Sequence, residues 1–157
     1  MSLSNFQLIN ICKKLDIKLN GIYVKDELIA VQSNQGNYII NLQSASQGNG
    51  THWLCCILDN QGCFYFDSFG EPAPVEVEAF IKKFNHTGKY GYNKFEIQYL
   101  TSDLCGYYCI GLLKYIHTHN LGLFKDANSF INLFQQNTKL NGSFLKKYLS
   151  SLIIKGN

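Results

Sequence analysis

Apolar side chains recur at helical spacing near the start of the chain. The segment opens on Ser4-Asn5-Phe6-Gln7, which has the order of a capping box, with Ser4 as the N-cap and Gln7 at the third helical position. The periodic apolar positions that follow are Phe6, Ile9, Cys12 and Leu15. This pattern predicts a first helix over residues 5–15.

Four further segments have the patterns of β-strands. Residues 37–43 (NYIINLQ) predict one strand, and residues 51–58 (THWLCCIL) are a continuous apolar run typical of a buried strand. Residues 59–62 (DNQG) have turn chemistry and residues 63–67 (CFYFD) supply a return strand, so a β-hairpin is expected here. Residues 94–99 (KFEIQY) alternate, which predicts another strand.

The remaining segments favour helices. Pro74 stands at the start of an amphipathic pattern, as proline does at a first helical position. Residues 105–120 (CGYYCIGLLKYIHTHN) are apolar almost all round, which predicts a central buried helix. Asp126 and Ser143 are candidate N-caps of two more amphipathic helices. The predicted ends of these two helices lie near Gln136 and Ile154.

These elements predict one α+β domain over residues 1–157, with a short sheet containing antiparallel pairs packed between helices. The length is that of a single domain with its own hydrophobic core. No repeat or linker-like stretch divides the chain.

Composition excludes several classes of protein. Hydrophobic residues make up 46% of the chain, charged residues 16% and aromatic residues 14%, which excludes intrinsic disorder. No apolar run reaches the roughly 18 residues that a membrane helix needs. The first residues have no basic segment followed by an apolar one, so we expect no signal peptide. The sequence therefore predicts a soluble intracellular domain with no membrane partner.

The charge does not indicate a dedicated nucleic-acid-binding protein. All 14 basic residues are lysine and the net charge is only +3. A nucleic-acid-binding domain typically concentrates its basic residues in a stripe that includes arginine, whereas these lysines are scattered. Weak contact with DNA is the most that this charge favours.

The six cysteines do not form the pattern of a metal site or of a disulfide framework. An intracellular location disfavours disulfides. Cys105 and Cys109 have no matching second pair, and His117 and His119 fall on different faces of a helix. We therefore expect no metal and no other cofactor.

Cys105 has the position that a nucleophilic cysteine requires. It follows a polar loop (residues 101–104) and begins the predicted central helix. A helix N-terminus stabilises a thiolate through its unpaired N–H groups and its dipole. A small buried core residue is the alternative interpretation of the same cysteine.

The predicted hairpin brings a histidine and a carboxylate together. If Leu58 pairs with Cys63 across the turn, Leu54 faces Asp67, and His52 lies two residues further along on the same face. The His52 and Asp67 side chains are then diagonal neighbours with Cβ atoms roughly 7 Å apart. A register slip of one residue would place them on opposite faces, so the contact between His52 and Asp67 requires this register.

Gln98 lies at the end of its predicted strand, seven residues before Cys105. Its side-chain amide is a candidate donor to a developing oxyanion, together with the backbone N–H of Cys105. Taken alone, a polar residue at a strand end is more often simply solvated.

These residues, taken in order, resemble a known family. His52-Trp53, the segment YFDSFG that carries Asp67, then Gln98, then Cys105-Gly106 are similar to the adenovirus-type maturation proteases and the related ubiquitin-like-protein proteases. The resemblance covers most of the chain and implies a cysteine endopeptidase fold. It makes His52 the general base, Asp67 its orienting carboxylate, Gln98 the oxyanion donor and Cys105 the nucleophile.

The resemblance also implies a role for Trp53 and a substrate class. Trp53 is expected to shield His52 and line the substrate groove, with a core tryptophan as the alternative. The chain length and the Gln98-to-Cys105 interval are more similar to adenoviral enzymes and their relatives in virophages and Polinton-type elements. Those enzymes process capsid precursors, typically after a glycine. The expected partners are therefore capsid precursor polypeptides, and the expected location is the virion and the cytoplasm of the infected host cell, with the enzyme a monomer.

Other functions remain open at this point. Asp67 replaces the adenoviral glutamate and matches the ubiquitin-like-protein proteases, which favours an enzyme that acts on ubiquitin-like modifiers. An acetyltransferase on the same fold and a non-enzymatic capsid component are two further alternatives. No cysteine lies between Cys63 and Cys105, so the disulfide-linked activating peptide of adenoviral enzymes is not expected.

Overall fold

The computed structural model of the 157-residue chain describes residues 2–32, 35–43 and 52–155, with side chains described as far as residue 152. Thr51, the first residue of the predicted hairpin, lies outside these residues. The helices are α1 (Asn5–Lys14), α2 (Val75–Phe84), α3 (Cys105–His119), α4 (Leu123–Ile131) and α5 (Asn141–Lys155). The strands are β1 (Gly21–Val24), β2 (Gly36–Asn41), β3 (Trp53–Asp59), β4 (Gly62–Phe66) and β5 (Tyr90–Tyr92). Short 3-10 helices span Lys25–Ala30 and Thr138–Leu140.

The five strands form one mixed sheet in the order β1-β2-β3-β4-β5. The two inner pairings, β2 with β3 and β3 with β4, are antiparallel. The two edge strands pair in parallel, β1 with β2 and β5 with β4. The predicted α+β class is confirmed, and the parallel edges are an addition that the sequence did not indicate.

Both faces of the sheet are covered, with β3 at its centre. On one face, side chains such as Ile39, Cys55 and Phe66 pack against α1, α3, α4 and α5. On the other face, side chains such as Ile40 and Tyr65 pack against α2. This two-sided burial explains why β3 is a continuous apolar run, since neither set of its side chains faces water.

Several local predictions are confirmed. α1 begins with the predicted capping box, in which Gln7 N–H donates to Ser4 Oγ at 3.2 Å and Ser4 N–H donates to Gln7 Oε1 at 2.8 Å. The hairpin has the predicted register, with Leu58 opposite Cys63. α2 begins after Pro74, and α3 begins at Cys105.

The predicted strand over residues 94–99 is wrong. No ladder forms there, because Ile97 N–H and Gln98 N–H both donate to one acceptor, the backbone carbonyl of Ser68, at 2.9 and 3.0 Å. The carbonyl of Ile97 accepts from two side chains, the Tyr108 hydroxyl at 3.3 Å and Asn141 Nδ2 at 2.9 Å. Side chains and a turn therefore satisfy this backbone in place of a neighbouring strand.

The two predicted N-caps near the C-terminal end are also wrong. α4 begins at Leu123 and ends at Ile131, so Asp126 lies inside its first turn. From there the Asp126 carboxylate accepts from the N–H groups of Leu121 and Gly122 at 2.9 and 3.2 Å. α5 begins at Asn141, which places Ser143 inside that helix as well.

Candidate active site

The hairpin places His52 and Asp67 side by side. His52 directly precedes β3 and Asp67 directly follows β4, so both lie at the open end of the hairpin. His52 Nε2 and Asp67 Oδ1 are 2.7 Å apart, and the two residues are 8% and 3% exposed. The predicted contact is confirmed, because the register that carries it is the one that forms.

The Asp67 carboxylate and backbone are both fixed by their neighbours. Asp67 Oδ1 also accepts from the Phe69 N–H at 2.9 Å, which orients the carboxylate toward His52. The buried Asn93 side chain binds both backbone groups of Asp67: Asn93 Oδ1 accepts from its N–H at 3.1 Å, and Asn93 Nδ2 donates to its carbonyl. The Asn93 side chain thereby joins the residue after β5 to the residue after β4.

The Phe69 ring packs on the imidazole. The ring centroids of His52 and Phe69 are 4.9 Å apart, with an angle of 27° between the planes. The resemblance implied a shielding role for Trp53. Trp53 is 5% exposed, as a core residue would be, and its indole N–H donates to the Leu3 carbonyl at 2.8 Å. A contact of Trp53 with substrate stays a prediction.

Cys105 is the first residue of α3, and its sulfur lies against β3. The backbone N–H of Trp53 donates to Cys105 Sγ at 3.4 Å, and the His52 side chain forms a hydrogen bond with the same thiol. Gly106 leaves room for the packing around the start of the helix, because an added Cβ would lie 3.2 Å from the Leu8 side chain and 3.3 Å from the Trp53 side chain. The helix N-terminus and the Trp53 N–H both favour a negatively charged sulfur at this point.

Cys109, one helical turn further along, has the opposite chemistry. Its S–H donates to the Trp53 carbonyl at 3.6 Å, so it acts as a thiol and not as an acceptor. Burial raises the pKa of Cys109 well above its ordinary value. The Trp53 N–H donates to the Cys105 sulfur and the Trp53 carbonyl accepts from the Cys109 thiol, so the two sulfurs have opposite hydrogen-bond roles.

The electrostatics of the pair favour a protonated imidazole. Burial disfavours the imidazolium, but the hydrogen bond and negative charge of Asp67, together with the contact with Cys105, outweigh it and raise the pKa of His52 to about 9. The raised pKa is consistent with a proton that resides on His52 at neutral pH. Because Nε2 is bonded to Asp67, Nδ1 is the ring nitrogen left to face the thiol.

Gln98 lies beside the loop that leads into Cys105. It is 1% exposed, and its Nε2 donates to the Ser102 carbonyl at 2.8 Å. Its Oε1 accepts from the Ser68 hydroxyl. The residue is thus held by side-chain and backbone contacts in an irregular segment, and not at the end of a strand as the sequence predicted. Its role as an oxyanion donor stays a prediction.

Three residues of this site were missed by the sequence reasoning. Ser68 and Phe69 stand in the segment YFDSFG, which was noticed for Asp67 alone, so their position directly after the carboxylate was an available signal. Asn93 had no signal, because its contact with Asp67 depends on how β5 pairs with β4.

The described residues offer no metal site. No group of three or more His, Cys, Asp or Glu side chains converges among them in a way that could hold a metal ion. All six cysteines lie within the described residues, and none of them is in a disulfide. None of the helices in the described part of the chain is long and apolar enough to cross a membrane.

The arrangement has the parts that nucleophilic catalysis by a thiol needs. Cys105 supplies the sulfur, His52 can give and take a proton, and Asp67 holds the ring in one orientation and stabilises its charged form. The backbone N–H at the start of α3 and the Gln98 amide, which is bonded to the loop before Cys105, are candidate donors for an oxyanion.

Two crystal structures share this fold at low sequence identity. The ASFV pS273R protease superposes with a TM-score of 0.51 at 17% identity, covering 74% of this chain and 43% of the protease. ChlaDub1 from Chlamydia trachomatis superposes with a TM-score of 0.51 at 15% identity, covering 99% of this chain and 81% of ChlaDub1. The chain thus spans less than half the length of the ASFV protease. No family model matches the chain, and no curated protein matches its sequence. The likeness shows that this chain has the fold of these two proteins.

Proposed function

We propose that this chain is a cysteine endopeptidase that processes capsid precursor proteins during virion maturation and cleaves after glycine. The observation that carries the proposal is the buried His52–Asp67 pair in hydrogen-bond contact with Cys105 at the head of α3. The fold shared with the ASFV protease supports the reaction class, and the resemblance in motif order supports the substrate class.

In the proposed reaction the sulfur of Cys105 attacks the carbonyl carbon of the scissile peptide bond. A C–S bond forms, and the carbonyl oxygen becomes an oxyanion that accepts from the Cys105 N–H and from Gln98 Nε2. The imidazolium of His52 then gives its proton to the leaving amine as the C–N bond breaks, which leaves a thioester on Cys105.

Water completes the cycle. The neutral imidazole of His52 takes a proton from water, whose oxygen attacks the thioester carbonyl. The C–S bond breaks, the acid product leaves, and the sulfur and His52 return to the charged pair. Asp67 keeps its charge throughout, and this charge stabilises the imidazolium in each half of the cycle.

A second candidate function is cleavage at the C-terminus of a ubiquitin-like modifier. Asp67 favours it, because an aspartate at this position matches the ubiquitin-like-protein proteases and is bonded to His52 here. Both candidates use the same reaction and differ in the partner. For the first, we further propose that the enzyme works as a monomer in the virion and in the cytoplasm of the infected cell, with only weak contact with DNA.

The test is turnover of two substrates by the full chain. One substrate is a fluorogenic capsid peptide with a diglycine before the scissile bond, and the other is a ubiquitin-like modifier fused to a reporter. We expect Cys105→Ala to abolish turnover and its matched control, Cys109→Ala, to retain most of it. Iodoacetamide should label Cys105 first. Label on Cys109 instead, or turnover that survives Cys105→Ala, would refute the assignment, and the preferred substrate decides between the two functions.

A further inference from the structure

Three consecutive residues each hold a different part of the site. Asp67 bonds to His52, and Phe69 fixes the Asp67 carboxylate through its N–H and stacks on the imidazole. Ser68, between them, is fully buried and points to the other side, where its hydroxyl donates to Gln98 Oε1. Ser68 therefore links the two parts of the site, because it follows Asp67 in the chain and its hydroxyl binds the Gln98 amide.

The neighbours of Gln98 determine which way its amide faces. The Ser102 carbonyl has only lone pairs to offer, so the group that faces it at 2.8 Å must be the amide nitrogen. With the nitrogen on that side, Oε1 faces Ser68, and the serine hydroxyl donates to it. A flipped amide would set Oε1 against the Ser102 carbonyl oxygen, which is repulsive.

This orientation has a chemical consequence. Nε2 carries two hydrogens, and the contact with Ser102 uses one of them. Among the described residues no hydrogen bond uses the other hydrogen, so it is the one that we expect to bind an incoming oxygen. The Ser102 carbonyl selects this orientation, and the Ser68 hydroxyl stabilises it by donating to Oε1.

The backbone of Ser68 reinforces the same arrangement. Its carbonyl accepts from both Ile97 N–H and Gln98 N–H, at 2.9 and 3.0 Å. Ser68 thus fixes the main chain of Gln98 through its carbonyl and the side chain of Gln98 through its hydroxyl. Only the second of these contacts is lost when the hydroxyl is removed.

We infer that the Ser68 hydroxyl is the positioning group that holds the Gln98 amide ready to donate to the oxyanion. The inference rests on the proposed peptidase function and adds a residue to it. Ser68 touches neither the sulfur nor the imidazole in this role, and acts through Gln98 alone. Its removal should therefore weaken the steps that form an oxyanion and leave the reactivity of the thiolate unchanged.

The experiment compares peptide turnover with thiol alkylation in the full chain. In Ser68→Ala we expect kcat for the diglycine peptide to fall by about 10-fold to 100-fold, a part of the roughly 10² to 10³ that loss of a whole oxyanion donor costs. KM should change little, since the bond strengthens in the transition state. The rate of iodoacetamide alkylation and its pH profile should stay at wild-type values, because alkylation forms no tetrahedral oxyanion.

A double-variant cycle shows whether Ser68 acts through Gln98. In a Gln98→Ala background, Ser68→Ala should change kcat by less than about 3-fold, because the amide it positions is already gone. The matched control is Tyr108→Phe, which removes a buried hydroxyl from the neighbouring Ile97 carbonyl without touching the amide. Tyr108→Phe should leave kcat within about 2-fold of wild type.

Each contrary result overturns the inference. Ser68 would have no role through Gln98 if kcat is unchanged in Ser68→Ala, or if the losses of kcat multiply in the double variant. The same conclusion would follow if the alkylation rate falls as much as kcat. If Ser68→Ala does not fold, Ser68→Cys is used, whose weaker S–H donor should give a smaller loss of the same kind, and wild-type turnover there refutes the inference. Turnover that survives Cys105→Ala refutes the proposed function instead, and is recognised without any Ser68 variant.

Discussion

Replacing Asp67 with asparagine tests the electrostatics of the site directly. Asp67→Asn keeps the size of the side chain and an oxygen that can accept from His52 Nε2 and from Phe69 N–H, now 2.7 and 2.9 Å away. The hydrogen-bond geometry can therefore persist while the negative charge is removed. Any change then reports the charge.

The magnitude follows from the pKa of His52, which is raised from 6.5 to about 9. Burial opposes the charged ring, so the hydrogen bond and charge of Asp67 and the contact with Cys105 supply the whole increase. A difference of this size corresponds to about 3 kcal/mol, at 1.36 kcal/mol per pKa unit. Without the Asp67 charge the contact with Cys105 remains but burial is less strongly opposed, so the pKa of His52 should fall toward its ordinary value.

The sign of the stability effect follows from the direction of that shift. Because the folded-state pKa of His52 is higher than the unfolded one, protonation stabilises the folded wild type. This stabilisation is complete below pH 6.5 and is lost as the pH rises to about 9. In Asp67→Asn this stabilisation should be smaller, because only the contact with Cys105 still raises the pKa of His52. The two proteins should therefore differ most in unfolding free energy at pH 6 and least at high pH.

The assay is urea denaturation of both proteins at pH 6 and pH 9.5, with NMR titration of the histidine rings. Between these pH values the unfolding free energy of wild type should fall by up to about 3 kcal/mol more than that of Asp67→Asn, because all other titrating groups are shared. His86→Gln, at an exposed histidine, is the control and should keep the wild-type difference. Peptide turnover by wild type should fall near pH 9, where His52 loses the proton that the leaving amine needs.

Two outcomes would refute this reasoning. One is an equal loss of stability in wild type and Asp67→Asn between the two pH values. The other is a His52 ring that titrates at the same pH in both proteins. Either would mean that the carboxylate orients His52 without controlling its charge.

Two further predictions concern stability. Gly70 and Gly88 both have φ near +73°, but an added Cβ at Gly70 would lie 2.7 Å from the Phe95 carbonyl carbon, whereas at Gly88 nothing lies within 4 Å. Gly88→Ala should lower the unfolding free energy by about 1–2 kcal/mol because of its backbone conformation alone. Gly70→Ala should lower it by more, and should lower turnover as well because this turn carries Asp67. Equal losses of unfolding free energy in urea denaturation would show that the contact with residue 95 does not matter. Phe130→Ala, at a fully buried ring, should lower the unfolding free energy by about 3–5 kcal/mol, and Leu121→Ala, at a side chain that is 65% exposed, by no more than about 0.5 kcal/mol. A Phe130→Ala protein with wild-type stability would contradict the packing of α4 described above.

Much of the site could be predicted because its contacts are close in sequence. A tight turn of a few residues sets the register of β3 with β4, and that register alone brings His52 and Asp67 to the same face. The position of Cys105 follows from the break between a polar loop and a long apolar helix. Both features depend on periodicity and turn chemistry, which local sequence carries.

The errors arise where side chains distant in sequence replace local backbone pairing. Residues 94–99 alternate like a strand. However, the Tyr108 and Asn141 side chains donate to one backbone carbonyl of this segment, and the Ser68 carbonyl accepts from two of its N–H groups. Asp126 has a side chain typical of an N-cap, but it lies in the first turn of α4 and accepts from two backbone N–H groups that precede the helix.

The sequence by itself determined the first helix with its capping box, the hairpin with its His–Asp pair, and the thiol at the start of the central helix. In each of these the interacting groups are a few residues apart or joined by a tight turn, so local pattern and sterics suffice. Only the tertiary structure decided the parallel edge strands, the ring of Phe69 on the imidazole and the hydrogen bond from Ser68 to the Gln98 amide. These contacts join segments far apart in the chain or depend on how the core packs, and no local pattern specifies which side chain will reach a given backbone group.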